Sequence, residues 1–463
     1  MMPFITQRNM VKINSGCMLL RNKLNPYRKE KWVKSSNFNR KNGTSNSDYG
    51  IYEYAFTPVP KNKRRKSIDL WYVLTGYTSA LSCLVIGAKI GASMPFLQAV
   101  LACFLGDLVL IFIGTSMGIL SSKYGWSTTF LTRSILGKHT SIIFSLLIII
   151  CSVFWIGING TLFTNMLVSV FPTWPFPTAV TSLLIIALWG ALAANGWKAL
   201  ELVSKILVPA SLILLFYTMF QLFSRLGGIG FLWEKPVAAP MSLAAASTAI
   251  IGNYVFGCMI TPDTCRFAES KKSVAIVCPS AYTIGLFLFN ICGVVVAKAG
   301  GFSDFIRSTV AIGLIVPMLL CSICCLVTTQ NINSYGGGLA LQNIFRGTKL
   351  EGNISHKLTV YLIAGFAAAL SVSGVGQHMI AVVSSFSIFM VPFLGMLLAQ
   401  AIVFSPRGQT IKKQGYSILV WLAGSLFGIF LLRSGVAVAP LWEIIFSGVL
   451  YCLVYRRHIL HPQ

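Results

Sequence analysis

The chain has 463 residues, of which 55% are apolar and 11% charged, and its mean hydropathy is +0.73. Soluble globular chains carry roughly a quarter charged residues, so this composition excludes an ordinary soluble enzyme and places the chain among membrane proteins. A net charge of +25, from 37 Lys and Arg against 12 Asp and Glu, would suit nucleic acid, but the basic residues cluster before Ser67 and in short segments between apolar runs, as in membrane loops.

Residues 1–66 contain Arg8, Lys12, Arg21, Lys23, Arg28, Lys29, Lys31, Lys34, Arg40 and Lys41 interleaved with Ser and Asn. This reads as a disordered basic cytoplasmic tail drawn to anionic lipid. A cleaved organellar presequence or a start codon assigned too early gives the same composition.

A membrane-spanning domain is expected over 67–457. A hydrocarbon core roughly 30 Å thick needs about 20 apolar helical residues, and scanning at that length gives about twelve spans. They fall near 68–93, 95–121, 139–169, 177–195, 199–222, 242–262, 273–297, 308–333, 358–374, 378–401, 415–432 and 438–455. One side of these spans holds Lys123, Arg133, Lys138, Lys198, Arg266, Lys271, Lys272, Arg346, Lys349, Lys357, Arg407, Lys412, Lys413, Arg456 and Arg457. The other holds Arg225, Lys235, Lys298, Arg307 and Arg433. The bias predicts both termini in the cytoplasm of a plasma or bacterial inner membrane.

Two blocks of five spans, about 68–222 and 242–401, are nearly equal in length, and two extra helices follow at 415–455. Five is odd, so the second block enters from the opposite side and the blocks form inverted repeats. The first span of each carries helix-poor residues: Gly76 to Ser82 in one, and Gly252 to Gly257 followed by Thr261, Pro262 and Asp263 in the other. Broken helices at matching positions mark a midplane binding site, whereas small residues alone would permit close helix packing.

Charges inside spans are costly. Lys89 is near enough to a helix end to snorkel, and Asp107 at the middle of span two is a candidate proton site or a partner for Lys89. Glu443 is expected at the interface, and Asp263 with Arg266 at the inner end of span six. In span three, Ser152, Trp155 and Asn159 share one face by their spacing of three and four. In span eight, Cys325, Thr328 and Thr329 repeat that spacing ahead of Gln330, Asn331 and Asn333, offering a carbonyl and two hydroxyls to a cation. Alternatively, the hydroxyls bond back to their own helix.

The twelve Cys are scattered through apolar runs without zinc-like spacing, which predicts reduced thiols and no metal cluster. His139, His356, His378, His458 and His461 are dispersed with no acid partners, which argues against a membrane enzyme.

The stretch GASMPFLQAVLACFLGDLVLIFIGTSMGILSSKYGWSTTFLTRSILG, then VFWIG in span three, TPDTCRF after span six and VTTQN in span eight, resembles the nucleobase:cation symporter-1 family, nearest its bacterial cytosine permease branch. The match runs in order over about 67–455. It implies an all-α, leucine-transporter-like 5+5 inverted-repeat fold with helices one and six broken, importing a nucleobase or related purine or pyrimidine with Na⁺ or H⁺ and no cofactor. A monomer satisfies that reading.

Carried onto matching positions, the resemblance implies that Trp155 stacks on a flat substrate, with Ser79, Ala80, Ser152, Asn253, Tyr254 and Phe256 around it. The Gly76, Ser79 and Cys325 carbonyls and the Thr328 and Thr329 hydroxyls then match a sodium position. This chain departs from the cytosine branch, which has an aromatic at Ala80, an amide at Ser152, Ser at Asn253 and Phe256, and a neutral amide at Asp107. These changes imply a small heterocycle other than cytosine itself. An amino-acid or amine carrier of the same fold, and a transporter-like substrate sensor, are the alternatives.

Overall fold

The computed structural model describes residues 53–234, 238–351, 353–373, 386, 388–404 and 415–456. Regular structure among them is helical, with one isolated bridge between Arg65 and Ala268. Seven helices are long and apolar enough to cross a membrane, a pair bent by 50° forms an eighth such segment, and four shorter apolar helices accompany them. Most of these described segments overlap stretches where the hydropathy scan places spans. Leu97, Leu101, Phe104 and Leu108 recur at helical spacing on one exposed apolar stripe, as a lipid-facing surface requires.

In chain order the helices are α1 (Ser67–Thr78), α2 (Leu81–Ser93), α3 (Phe96–Tyr124), α4 (Thr128–Leu136), α5 (Lys138–Val170), α6 (Thr178–Ala193), α7 (Trp197–Arg225), α8 (Leu243–Met259) and α9 (Pro262–Cys265). They continue with α10 (Lys271–Tyr282), α11 (Phe289–Gly300), α12 (Phe305–Ala311), α13 (Ile315–Phe345), α14 (His356–Val372), α15 (Val391–Ala399), α16 (Ser417–Arg433) and α17 (Ala439–Arg456).

The first span breaks at Ser79 and Ala80, where Ala80 is extended at φ −100° and ψ 138°. The Thr78 hydroxyl at the broken end reaches the Ala281 carbonyl at 2.9 Å, just ahead of a π-helical segment, Thr283–Leu288, that joins α10 to α11. A Cβ at Gly285 would collide with Thr78, so only glycine lets the two approach. Below the break, α2 lies against α11 with Gly87 on the Asn290 carbonyl and Gly293 on the Leu84 carbonyl, close packing of the kind small residues allow in lipid.

Span six differs from expectation. Its Gly252–Gly257 run stays helical within α8, and the interruption lies lower, at Ile260 and Thr261 before Pro262. Gly257 serves packing instead, since a Cβ there would sit 2.9 Å from the Tyr77 hydroxyl. Span eight is also displaced: α13 runs from Ile315 to Phe345, preceded by the separate α12. Its extra turns carry Gly337 and Gly338, which let Ser152 and Val360 pack against the helix. Of the expected tenth span, 378–385 lies outside the described residues, as do Lys235, Arg407, Lys412, Lys413, Arg457, His378, His458 and His461.

The expected tail is described from residue 53 onward, and there it is packed: Glu53, Ala55 and Val59 are buried. The Val59 amide donates to the Gly125 carbonyl at 2.9 Å and the Arg65 amide to the Phe267 carbonyl at 2.7 Å. Glu443, four residues into α17, is likewise fully buried, against Gly428 of α16.

Candidate substrate and cation site

Breaking α1 frees backbone carbonyls that need partners inside an apolar bundle. α13 supplies them. The Thr328 hydroxyl lies 2.7 Å from the Gly76 carbonyl and 2.9 Å from that of Cys325. The Thr329 hydroxyl lies 3.2 Å from the Tyr77 carbonyl, 3.4 Å from Gly76 and 3.5 Å from Ser79. Gly76, Ser79, Cys325, Thr328 and Thr329, singled out in the sequence, therefore converge on one cluster of neutral oxygens, the donor chemistry hard cations take. The approach depends on Gly76, where a Cβ would meet Val208 at 2.9 Å and Thr328 at 3.0 Å.

Beside this cluster is a cavity of about 20 Å³ lined by Tyr77, Ala80, Ser82, Trp155, Asn159, Asn253, Tyr254, Phe256, Gly257, Thr329 and Asn333. Every one of these side chains is uncharged. Trp155, Tyr77, Tyr254 and Phe256 give aromatic faces, and Asn159, Asn253 and Asn333 each bring a carboxamide with a donor and an acceptor. Flat heterocycles suit such walls, since rings stack on aromatic faces while amides pair with the ring edge. The Tyr254 hydroxyl donates to the Tyr77 carbonyl at 2.6 Å, fixing α8 on the broken end of α1.

Sequence reasoning places Ala80, Trp155, Asn253, Tyr254 and Phe256 in the substrate set, and all five line this cavity. Ser79 is not among the lining residues; its carbonyl faces Thr329. Ser152 is displaced too: it is fully buried against Gly337 of α13, because the longer α13 passes behind it. Tyr77, Ser82 and Asn333 were not singled out as substrate contacts. Asn333 was legible, one helical turn beyond Thr329 on the same face.

A second cavity of about 700 Å³ shares Ser82 and Asn253 with the first and is lined mainly by α2, α8 and the α16–α17 connection. Lys89 lies on its wall. Asp107 does not pair with Lys89 and lines neither cavity. It is buried, and both its oxygens accept from the Asn290 amide, at 3.1 and 3.0 Å. Asp263 and Arg266 stand at the end of span six as expected: the Thr128 amide donates to Asp263 at 2.8 Å and Arg266 Nε donates to the Asp263 carbonyl at 3.1 Å.

Residues 58–436 match the family described as permeases for cytosine/purines, uracil, thiamine and allantoin. The chain is 27% identical over 291 residues to the cytosine permease of Escherichia coli strain K12, covering 62% of this chain and 68% of that one. Its fold is similar to that of Mhp1, a nucleobase-cation-symport-1 family transporter, in a closed conformation with bromovinylhydantoin bound: TM-score 0.73, 13% identity, covering 86% of this chain and 94% of that one. It is also similar to a Na⁺-coupled sialic acid symporter in a substrate-bound outward-open state, at TM-score 0.63 and 12% identity, covering 91% and 95% of the two chains.

Proposed function

This chain belongs to the permease family for cytosine/purines, uracil, thiamine and allantoin, and we propose that it is a secondary transporter that imports a neutral nucleobase-like heterocycle together with Na⁺. The observation that carries this reading is the position of Thr329, which lines the uncharged aromatic cavity and also reaches the freed carbonyls of α1. A cation bound there stabilises the end of α1 and the cavity wall together, so substrate and ion favour the same arrangement.

In this account Trp155 stacks on the ring, with Tyr77, Ala80, Tyr254 and Phe256 shaping the pocket, and Asn159, Asn253 and Asn333 pair with the ring's polar edge. The Gly76, Ser79 and Cys325 carbonyls and the Thr328 and Thr329 hydroxyls hold the ion. The cavity of about 20 Å³ must widen to admit a ring. The larger cavity is the entry vestibule, open to the side opposite the termini, which lie in the cytoplasm of the plasma or bacterial inner membrane. Asp107 is the competing proton site, favoured less because it lies behind the cavity walls. The changes at Ala80, Asn253 and Phe256, all three on the cavity wall, point to a heterocycle other than cytosine.

An amino-acid or amine carrier would recognise its substrate's charge through a charged side chain or a helix terminus; no charged side chain lines the small cavity, which leaves such a carrier only the broken ends of α1 and α2. Uptake of radiolabelled heterocycles and amino acids into proteoliposomes, under a Na⁺ gradient, a proton gradient or neither, tests the proposal. Na⁺-driven uptake of one heterocycle is the expected result; uptake of amino acids alone overturns it.

A further inference from the structure

Three cations that the transport site does not use meet where α13 ends. Arg346 follows its last residue, Arg133 sits in the short α4, and Lys138 opens α5. The Arg133 guanidinium is held by the last turn of α13, donating to the Asn343 and Arg346 carbonyls, each at 3.1 Å. Arg346 lies over the rings of Phe130 and Phe56, at 4.7 and 5.5 Å, with its Nη1 buried and without a hydrogen-bond partner. Lys138 is exposed. Gly347, at φ 82°, keeps a gap open between two of the cations. A Cβ placed there would stand 3.8 Å from Arg133 Nη2 and 3.9 Å from Lys138 Nζ, with no other described atom within 4 Å apart from its chain neighbours.

The cluster lacks negative charge. Among the described residues ion pairs form only at Arg65 and Lys205, so none of these three cations has a carboxylate within 4 Å. Glu351 in the same loop accepts from the Gly347 amide at 2.8 Å, and its field reaches both arginines. One carboxylate against three cations leaves an excess. Burial, and then the repulsion of Arg133, pushes the Arg346 guanidinium down to about 10, and burial also lowers Arg133. Half-buried like charges of this kind are costly unless an anion joins them.

α5 and α13 are both long and apolar enough to cross a bilayer, so the cluster stands at its boundary. Beside it, the start of α14 packs on Gly338 of α13, and Leu358, Tyr361 and Leu362 of α14 are exposed at helical spacing, an apolar face on which an acyl chain can lie. Basic pockets between membrane helices suit anionic headgroups. We propose that Arg133, Lys138 and Arg346 form a phosphate-anion site beside Gly347, occupied by the headgroup of an anionic phospholipid from the leaflet on that side. The lipid ties α4 and the start of α5 to the end of α13. The site is separate from the substrate cavity and stands whichever solute the chain carries.

The test is thermal unfolding of the full chain in detergent, titrated with short-chain phosphatidylglycerol, short-chain phosphatidylcholine or inorganic phosphate. Phosphatidylglycerol is expected to raise the melting temperature more than phosphatidylcholine. Its half-saturating concentration is expected to rise about tenfold in Lys138→Gln, the loss of one charge-assisted hydrogen bond. Lys138 is exposed, so this variant keeps the fold even where Arg346→Gln, which also strips a cation from two rings, does not. Lys272→Gln, at an exposed lysine of α10, measures the general attraction of a basic chain and is expected to leave half-saturation unchanged. No change in Lys138→Gln, or an equal change in Lys272→Gln, overturns the site. Inorganic phosphate that saturates at the same concentration as the lipid, with the same dependence on Lys138, overturns the lipid as occupant and makes this a free-anion site.

Discussion

The Thr328 hydroxyl lies 2.7 Å from the carbonyl of Gly76, joining the middle of α13 to the last turn of α1 just before its break. Thr328→Ala removes one ligand of the proposed cation site and leaves the Gly76 carbonyl without that partner, a cost of about 1–3 kcal/mol. Half-saturating Na⁺ for uptake is expected to rise by about tenfold or more, and Thr328→Ser is expected to stay near the parent. Flux titrated against Na⁺ checks both.

Gly76→Ala should be more disruptive than its single methyl suggests. The new carbon meets Val208 and Thr328 at 2.9 and 3.0 Å, and both belong to packed helices that cannot easily yield. Overpacking of this kind costs about 1–3 kcal/mol. A lowered melting temperature together with weakened Na⁺ stabilisation is expected, measured by thermal unfolding in detergent.

Trp155→Ala removes the largest ring from the cavity wall. Heterocycle uptake is expected to fall to background, while Trp155→Phe retains part of it. A stacking contact adds about 0.5–1.5 kcal/mol beyond the burial of area, so an intact signal in Trp155→Ala would place the ring elsewhere.

Residue spacing made the Trp155 face and the Thr328–Thr329 pair legible, the resemblance supplied Ala80, Asn253, Tyr254 and Phe256, and the reason is physical. Apolar length fixes where helices can cross, and a break in lipid forces partners on its carbonyls, so Gly76–Ser79 and Thr328–Thr329 could be paired from sequence and resemblance alone. Ser152 was misplaced because its helical face was readable but the extent of α13 behind it was not. The Gly252–Gly257 run shows the same limit: small residues mark either a break or a close approach, and only the neighbouring Tyr77 and Tyr254 decide which. The packed segment at Glu53 had no hydrophobic periodicity to announce it, since polar bonds to Arg266 and Tyr335 hold it.

Burial pushes the Glu53 carboxyl above its ordinary range, against the opposing pull of Arg266, the Tyr335 hydrogen bond, the Trp197 amide and Lys198. A carboxyl whose folded pKa is raised holds its proton better when folded, so its contribution to stability is lost as pH rises from the ordinary carboxyl range through the folded value. The melting temperature is expected to fall less over that rise in pH with Glu53→Gln than in the parent, measured by thermal unfolding in detergent. Equal slopes would remove Glu53 as the titrating group.

Asp107→Asn separates the two candidate ions. Among the described residues Asp107 accepts only from Asn290, and it lines neither cavity, so Na⁺-driven uptake is expected to survive the change. Loss of uptake with Asp107→Asn, while Thr328→Ala remains active, would move coupling to protons.

The most direct measurement of the central claim is thermal stabilisation of the purified chain by a panel of nucleobases, hydantoins, hydroxymethylpyrimidine and amino acids, each with and without Na⁺. A ligand that binds the folded form raises its stability by mass action, by about 2.7 kcal/mol at a hundredfold excess over Kd. The account predicts a shift with one heterocycle that Na⁺ enlarges and Thr328→Ala abolishes. Stabilisation by amino acids alone, or by a heterocycle with no response to Na⁺, would contradict it.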